Sequence, residues 1–286
     1  MKKAILLLTG LFFSFVTYSQ DGDFHLDNVY KVKNNGTIDL RSSDAKVFIT
    51  GSDRSDVHVK IDRKVTTKGV VWGGKDFAVE VQESNGNLVI RERQSGGSVS
   101  VVGYYKEEYK IEIEAPNGMS LEIRGDDGDY FIKNVNGSIE LDMDDADAEL
   151  VNCKGDRFKF SVDDGDIRMD QARGSLKVRA DDGDIEIRNA SLTHIEADLD
   201  DGDFIVETSL ADNGDYNIQA EDGTVALRIT NGGGEIYVRH DDGRVITEGD
   251  FERVERSDDR TRLKLSNGTA KVTIRVDDGK VRLSKG

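Results

Sequence analysis

The chain has 286 residues, with 39 Lys plus Arg against 56 Asp plus Glu and a formal charge of −17 at neutral pH. Such an acidic surface repels phosphate backbones, and its Lys and Arg stand singly, which argues against nucleic acid and against an anionic membrane surface as partners. Hydrophobic residues make up 36%, Gly numbers 30 and Pro 1; because the apolar residues alternate with polar ones, this indicates a thin core with many tight turns, not disorder.

Residues 1–19 read as a cleaved secretory signal peptide: Lys2 and Lys3, an apolar run from Ala4 to Val16, then Thr17-Tyr18-Ser19 before Gln20. The run is shorter than the roughly 20 apolar residues that span a bilayer, and no later stretch approaches that length, so no membrane insertion is expected. The expected route is the Sec pathway, to the periplasm, the cell surface or the medium. Losing Lys2 and Lys3 takes the charge from −17 to −19. Cys153 is the sole cysteine, so an intrachain disulfide is excluded.

Residues 20–115 alternate in period two with irregular spacing: Ile38 and Leu40, Val47 and Ile49, Val57, Val59 and Ile61, Phe77, Val79 and Val81, Leu88 and Ile90, Ile111 and Ile113. These are expected to be irregular N-terminal solenoid coils, punctuated by Gly36 and Gly51. Two Gly-rich insertions interrupt them, residues 66–76 with Trp72 and residues 94–107 with Val101, Val102, Tyr104 and Tyr105. Exposed aromatics beside flexible Gly suit recognition of a glycan or protein; the competing role is to cap the open end of a solenoid. Pro116 opens the regular part, residues 116–286, and one continuous solenoid is expected instead of two domains.

In that part Asp-Asp-Gly-Asp or a close variant recurs, with its Gly at 128, 165, 183, 202, 223, 243 and 279 and Ala146 in the same place in one copy. The steps are 18, 19, 18, 19, 21 and 20 residues, then 36, which reads as close to two repeats. Before each turn lie inward columns such as Leu121, Ile123 and Gly125, or Phe158, Phe160 and Val162; after it lie pairs such as Ile167 and Met169. Period two on both sides means a strand before and a strand after each turn. A second turn, Asn136-Gly137, Lys154-Gly155, Arg173-Gly174, Asn213-Gly214 and Asn267-Gly268, closes the cycle. A constant register of this kind predicts an all-β chain, a parallel β-solenoid (β-helix-like) with coils of about 19 residues. Asn134, Asn152, Gln171, Asn189 and Thr208 form a corner column whose amides can bond along the stack, backed by the small residues Val135, Cys153, Ala172, Ala190 and Ser209.

Thr37-Ile38-Asp39-Leu40, Val57-His58-Val59 and Ile111-Glu112-Ile113-Glu114-Ala115-Pro116, opening a glycine-punctuated ladder after a signal peptide, resemble an exported bacterial domain-of-unknown-function family labelled "putative adhesin". Gly249-Asp250-Phe251, Ser266-Asn267-Gly268 and Val276-Asp277-Asp278-Gly279-Lys280-Val281 look like that family's last two coils. The resemblance covers nearly the whole mature chain. It implies a right-handed β-solenoid and a non-enzymatic role at the surface or in the periplasm, and it carries over no catalytic or ligand residue.

Stacking would set Asp127, Asp145, Asp164, Asp182 and Asp201 in one column, with repulsion of roughly 1 kcal/mol per adjacent pair even in water. Turn chemistry offsets this in the simplest reading: Asp bonds the backbone within its turn, Gly supplies positive φ, and salt screens the charge. Divalent cations, Ca²⁺ above all, are a second reading. Acid catalysis is a third, which uniform repetition disfavours because catalysis needs two carboxylates in unlike environments. His25, His58 and His194 stand apart without metal-ligand spacing, His240 reads as a hydrogen-bonded core residue, and Cys153 as a buried inert thiol. No catalytic, cofactor or metal residue is assigned. The expected function is an adhesin or cell-envelope scaffold with an extracellular or envelope protein or glycan as partner; the alternative is a carbohydrate-binding or polysaccharide-cleaving β-helix.

Overall fold

The computed structural model describes residues 23–73, 75–96, 100–241, 243–266 and 268–286, and these form strands and turns without a helix. The expected signal peptide of residues 1–19, and Asp242 and Asn267 of the two turn series, lie outside the described residues. In chain order the first seven strands are β1 (Phe24–Lys31), β2 (Thr37–Ser42), β3 (Lys46–Ser52), β4 (Asp56–Trp72), β5 (Lys75–Ser84), β6 (Asn87–Gly96) and β7 (Ser100–Pro116). The middle is β8 (Ser120–Lys133), β9 (Ile139–Val151), β10 (Arg157–Val162), β11 (Ile167–Asp170), β12 (Arg173–Ala180), β13 (Ile185–Leu199), β14 (Asp203–Thr208), β15 (Asp215–Ala220) and β16 (Thr224–Ile229). The last six are β17 (Gly234–His240), β18 (Arg244–Glu248), β19 (Glu252–Arg256), β20 (Arg260–Leu265), β21 (Ala270–Val276) and β22 (Lys280–Lys285).

All twenty-two belong to one hydrogen-bonded network. The pairings resolve it into two ladders joined by strands that run through both. One runs β5-β6-β2-β8-β9-β10-β12-β13-β15-β21-β17-β20-β19. The other runs β1-β4-β7-β3-β8-β9-β11-β13-β14-β16-β22-β18. The predicted inward columns are buried in both ladders and belong to a single hydrophobic cluster. Period-two sequences with one apolar face form these rungs because each rung buries only that face, against the opposite ladder.

Through the middle, parallel rungs follow the expected register: Leu121 pairs with Ile139, Ile139 with Phe158, Phe158 with Leu176 and Leu176 with Ile195. Gly125 departs from its column for a packing reason. A Cβ there would lie 2.3 Å from the Tyr130 hydroxyl, which is buried and hydrogen-bonded to Ser42 Oγ at 2.9 Å.

Both ends depart from the sequence reading. The 36-residue step is not a skipped repeat: Val272 pairs in parallel with Tyr216 on one side and with Ile236 on the other, so the last rung lies between two earlier ones. In the second ladder β22 lies likewise between β16 and β18. At the N-terminal end β2 lies between β6 and β8, and β3 between β7 and β8. Purely parallel coils also fail at the ends, where β1–β4, β4–β7, β5–β6, β17–β20 and β19–β20 are antiparallel. The outermost strand β19 is exposed throughout and carries Glu252, Arg253, Glu255 and Arg256, charges that discourage pairing with another chain.

Candidate functional site

The acidic turns lie on one edge. Asp127 pairs with Asp145 and Asp129 with Asp147, and the backbone amides of Asp164, Asp182 and Asp201 donate to carbonyls of the preceding turn, at 2.9, 2.8 and 2.7 Å. In four of the turns the fourth aspartate reaches to the next rung. Oδ1 of Asp147 accepts the amide of Asp166 at 2.9 Å, Asp166 that of Asp184 at 3.3 Å, Asp184 that of Asp203 at 2.8 Å and Asp203 that of Thr224 at 2.9 Å. Turn chemistry therefore operates, and in these four turns it runs from one turn to the next.

The glycine meets two needs: Gly128, Gly202 and Gly223 take the expected positive φ, and the stack adds a second constraint where φ is ordinary. Gly165 and Gly183 are not among the positive-φ residues. A Cβ on Gly165 would stand 2.0 Å from the Ala146 carbonyl oxygen, and one on Gly183 2.1 Å from that of Gly165. Close stacking of turn on turn excludes a side chain.

The carboxylates pointing outward feel the stack. Partial desolvation, then repulsion from Asp181 and Asp144, raises Asp163 above the usual carboxylate range. Desolvation followed by Asp145 and Asp182 does the same to Asp164. Among the described residues no group of three or more His, Cys, Asp or Glu is arranged to hold a metal ion, so the Ca²⁺ reading finds no ligand set here.

At the opposite corner Asn134, Asn152, Gln171 and Asn189 share a left-handed backbone, φ 51° to 60°. That is the conformation asparagine tolerates best among residues with a side chain, a reason for the column that the sequence reading missed. Asn152 donates to Asn134 Oδ1 at 2.6 Å as expected, whereas Asn189 turns to Asp170 Oδ1 at 2.8 Å. Val135, Cys153, Ala172 and Ala190 are buried behind it, and burial raises the Cys153 thiol pKa.

The histidines are less dispersed than their spacing suggested. Antiparallel pairing of β1 with β4 brings His25 onto Asp62 at 2.6 Å and His58 onto Asp27 at 2.7 Å, within one surface network that includes Lys60. The His58 hydrogen bond holds Asp27 below its ordinary value. His240 is buried as expected, but its Nδ1 has no hydrogen-bond partner among the described residues, which corrects the hydrogen-bonded reading.

The two Gly-rich insertions are a structural pair. Residues 64–72 of β4 and 100–108 of β7 pair antiparallel from Lys64–Glu108 to Trp72–Ser100, beyond the part of β7 that pairs with β3. Since β3 begins just after the Asp44-Ala45 turn, this ribbon projects from the acidic edge. The β5–β6 hairpin projects alongside it as far as Lys75–Gly96. Trp72 of the ribbon and Lys75 of the hairpin are three residues apart in the chain, so the two strand pairs end near each other. Among the described residues, five of the eight exposed large apolar side chains lie on the first ribbon: Val70, Trp72, Val102, Tyr104 and Tyr105. At its root lies an open cleft of about 1210 Å³, lined among others by Asp44, Lys46, Asp62, Arg63, Glu107 and Asp129. Its charges are paired across it, Arg63 with Glu107 at 2.5 Å and Lys46 with Asp129 at 3.3 Å. Arg63 also lies over the Phe77 ring at 4.2 Å, which fixes the ribbon root to the β5–β6 hairpin.

Residues 35–284 match the family model described as Toastrack DUF4097. Two solved structures are similar: a "putative adhesin" of Bacteroides fragilis (14% identity, 91% of this chain and 97% of that chain, TM-score 0.45) and a "putative cell adhesion protein" of Clostridium sporogenes (10% identity, 92% and 100%, TM-score 0.33). No curated protein matches the chain.

Proposed function

The chain belongs to the Toastrack DUF4097 family, and on that premise we propose that it is an exported, non-enzymatic β-solenoid that serves as an adhesin or cell-envelope scaffold. In this reading the leader of residues 1–19 directs export by the Sec pathway. The rest is one right-handed solenoid with coils of about 19 residues, irregular up to residue 115 and regular from 116 onward.

One observation carries the reading: the body is repetitive and engaged with itself, while most of the exposed large apolar side chains among the described residues lie on one ribbon. The fourth aspartates bond backbone amides rung after rung. A hydrolytic site would instead set two carboxylates in unlike surroundings at one place. Val70, Trp72, Val102 and Tyr104 supply a contact surface of the kind that forms interface centres. The partner is an extracellular or envelope component, with the ladder as its support.

Incubating the mature chain with a panel of polysaccharides and with envelope extract tests this. Retention that Trp72→Ser with Tyr104→Ser abolishes, at unchanged melting temperature, is expected. New reducing ends or unsaturated sugars would overturn the non-enzymatic reading.

A further inference from the structure

The ribbon's sequence and register say more about what it touches. Alternation and direct cross-strand pairing put Lys64, Thr66, Lys68, Val70 and Trp72 of β4 on one face with Ser100, Val102, Tyr104, Lys106 and Glu108 of β7. From root to tip the opposed pairs are Lys64 with Glu108, Thr66 with Lys106, Lys68 with Tyr104, Val70 with Val102 and Trp72 with Ser100. Polarity therefore falls along the ribbon, from the Lys106–Glu108 ion pair at the root to Lys68 and Tyr104, then to valine and tryptophan. The four apolar side chains of this face are 50% to 66% exposed.

We propose that this ribbon docks end-on into the interface of an anionic lipid bilayer. The inference rests on the reading of the ribbon as the contact surface and names its partner. Depth is the first argument. At about 3.4 Å per residue, Val70 and Val102 lie about 7 Å beyond Lys68 and Trp72 about 14 Å beyond it. Interfacial elements bury their apolar part about 5–10 Å into the headgroup and acyl boundary. With the valines at that depth, Lys68 and Lys106 reach the phosphates, and Tyr104 occupies the amphipathic layer between them.

Charge is the second argument. Residues 64–72 and 100–108 contain Lys64, Lys68 and Lys106 against Glu107, which Arg63 holds, and Glu108, within a chain of net charge −17. Glu108, at the root, is held by Lys106. Asp76 is the acid nearest the tip in sequence, and Lys75 precedes it. The chain-wide charge argues against anionic surfaces, but field range decides here: the tip is about 30 Å of strand beyond Arg63, against a screening length of about 8 Å at physiological salt. The acidic edge is screened at the tip and at Lys68, about 17 Å of strand beyond Arg63, while Lys106 nearer the root is shared with Glu108.

Other partners use only part of this surface. The acidic edge of a second copy would satisfy the lysines but offers exposed carboxylates to Val70, Val102 and Trp72. A neutral glycan would stack on Trp72 and Tyr104 and leave the valines and lysines unmatched.

Trp72 is the only tryptophan, so its fluorescence reports the tip directly. The mature chain is titrated with vesicles of phosphatidylcholine alone and of phosphatidylcholine with phosphatidylglycerol. Expected are a blue shift and quenching by brominated acyl chains with the phosphatidylglycerol vesicles, weakened by salt. Lys68→Glu with Lys106→Glu should weaken binding by roughly an order of magnitude or more; Val70→Ser with Val102→Ser should remove the quenching, and Lys68→Arg should keep it. Unchanged emission, equal binding to both vesicles, a shift with protein concentration in the absence of vesicles, or a shift with polysaccharide alone would each overturn the proposal. If vesicles have no effect but Trp72→Ser with Tyr104→Ser still abolishes retention on envelope components, the lipid assignment falls and the contact-surface reading stands.

Discussion

Asp182 and Asp184 are both exposed at one turn, and what distinguishes Asp184 is its Oδ1 on the amide of Asp203, 2.8 Å away. Asp184→Ala leaves that amide without its partner and should cost about 1 kcal/mol, a drop of roughly 2–4 °C in thermal unfolding. Asp182→Ala should stay within about 0.5 kcal/mol of the parent. Protonation follows the same division. Asp163, raised by desolvation and its aspartate neighbours, binds its proton more tightly folded than unfolded. Its contribution to stability therefore falls as pH rises from the unfolded value through the raised folded one, and the penalty persists at neutral pH. Asp27, lowered by its His58 hydrogen bond, works the other way: its stabilisation is present above the unfolded value and is lost as pH falls through the folded one. Asp163→Asn should accordingly raise the melting temperature at pH 7 in low salt, with a gain that shrinks as salt is added. These roles were only partly legible beforehand. The aspartates announce themselves by repetition, but which of them points along the stack depends on the turn backbone.

Within a rung, the features legible in the sequence are those that period two enforces. Columns such as Phe158, Phe160 and Val162 could face the core only in one register. Opposite charges across rungs also follow from it, as in Lys159 with Glu140 at 2.5 Å and Lys177 with Glu196 at 2.7 Å. The turn glycines were legible as positions and only partly in cause: positive φ holds at Gly128, Gly202 and Gly223, while carbonyl contact with the turn below is a property of the stack. Gly165→Ala tests the cause: its Cβ would meet the Ala146 carbonyl at 2.0 Å. About 1–3 kcal/mol of destabilisation is expected from forcing the turns apart, measured by denaturant unfolding; a neutral result would return the glycine to a conformational role. The ribbon was hidden by its glycines. Gly69 and Gly103 suggested a loop, yet they oppose each other across the ribbon, and the carbonyls of Val102 and Lys68 come within 2.2 and 2.0 Å of where their Cβ atoms would stand. The signal that could have found the ribbon is the β-branched content around them, Val70 and Val71 facing Val101 and Val102.

Across the whole molecule, the all-β ladder is legible and its order at the ends is not. Every rung presents the same apolar inner face and the same unpaired backbone edge, so nothing local says that Val272 belongs beside Tyr216 instead of beyond Ile236. The stack of turns agrees with the interleaved order, since a Cβ on Gly279 would lie 3.0 Å from the Gly223 carbonyl oxygen and one on Gly243 2.6 Å from that of Gly279. Threading β21 and β22 between earlier rungs ties the last segment into both ladders, and the antiparallel strands β19 and β20 then close one of them. A support for a projecting contact ribbon benefits from ends that do not fray. The interleaved ladder, on which the scaffold reading rests, is tested most directly by oxidative cross-linking of exposed cysteine pairs. Gln219 pairs with Arg275, and Arg275 with Arg239 on its other side. Gln219→Cys with Arg275→Cys should form a disulfide within the chain, while Gln219→Cys with Arg239→Cys, two rungs apart at about 9.6 Å, should not. Cross-linking of the second pair and not the first would contradict the interleaved order.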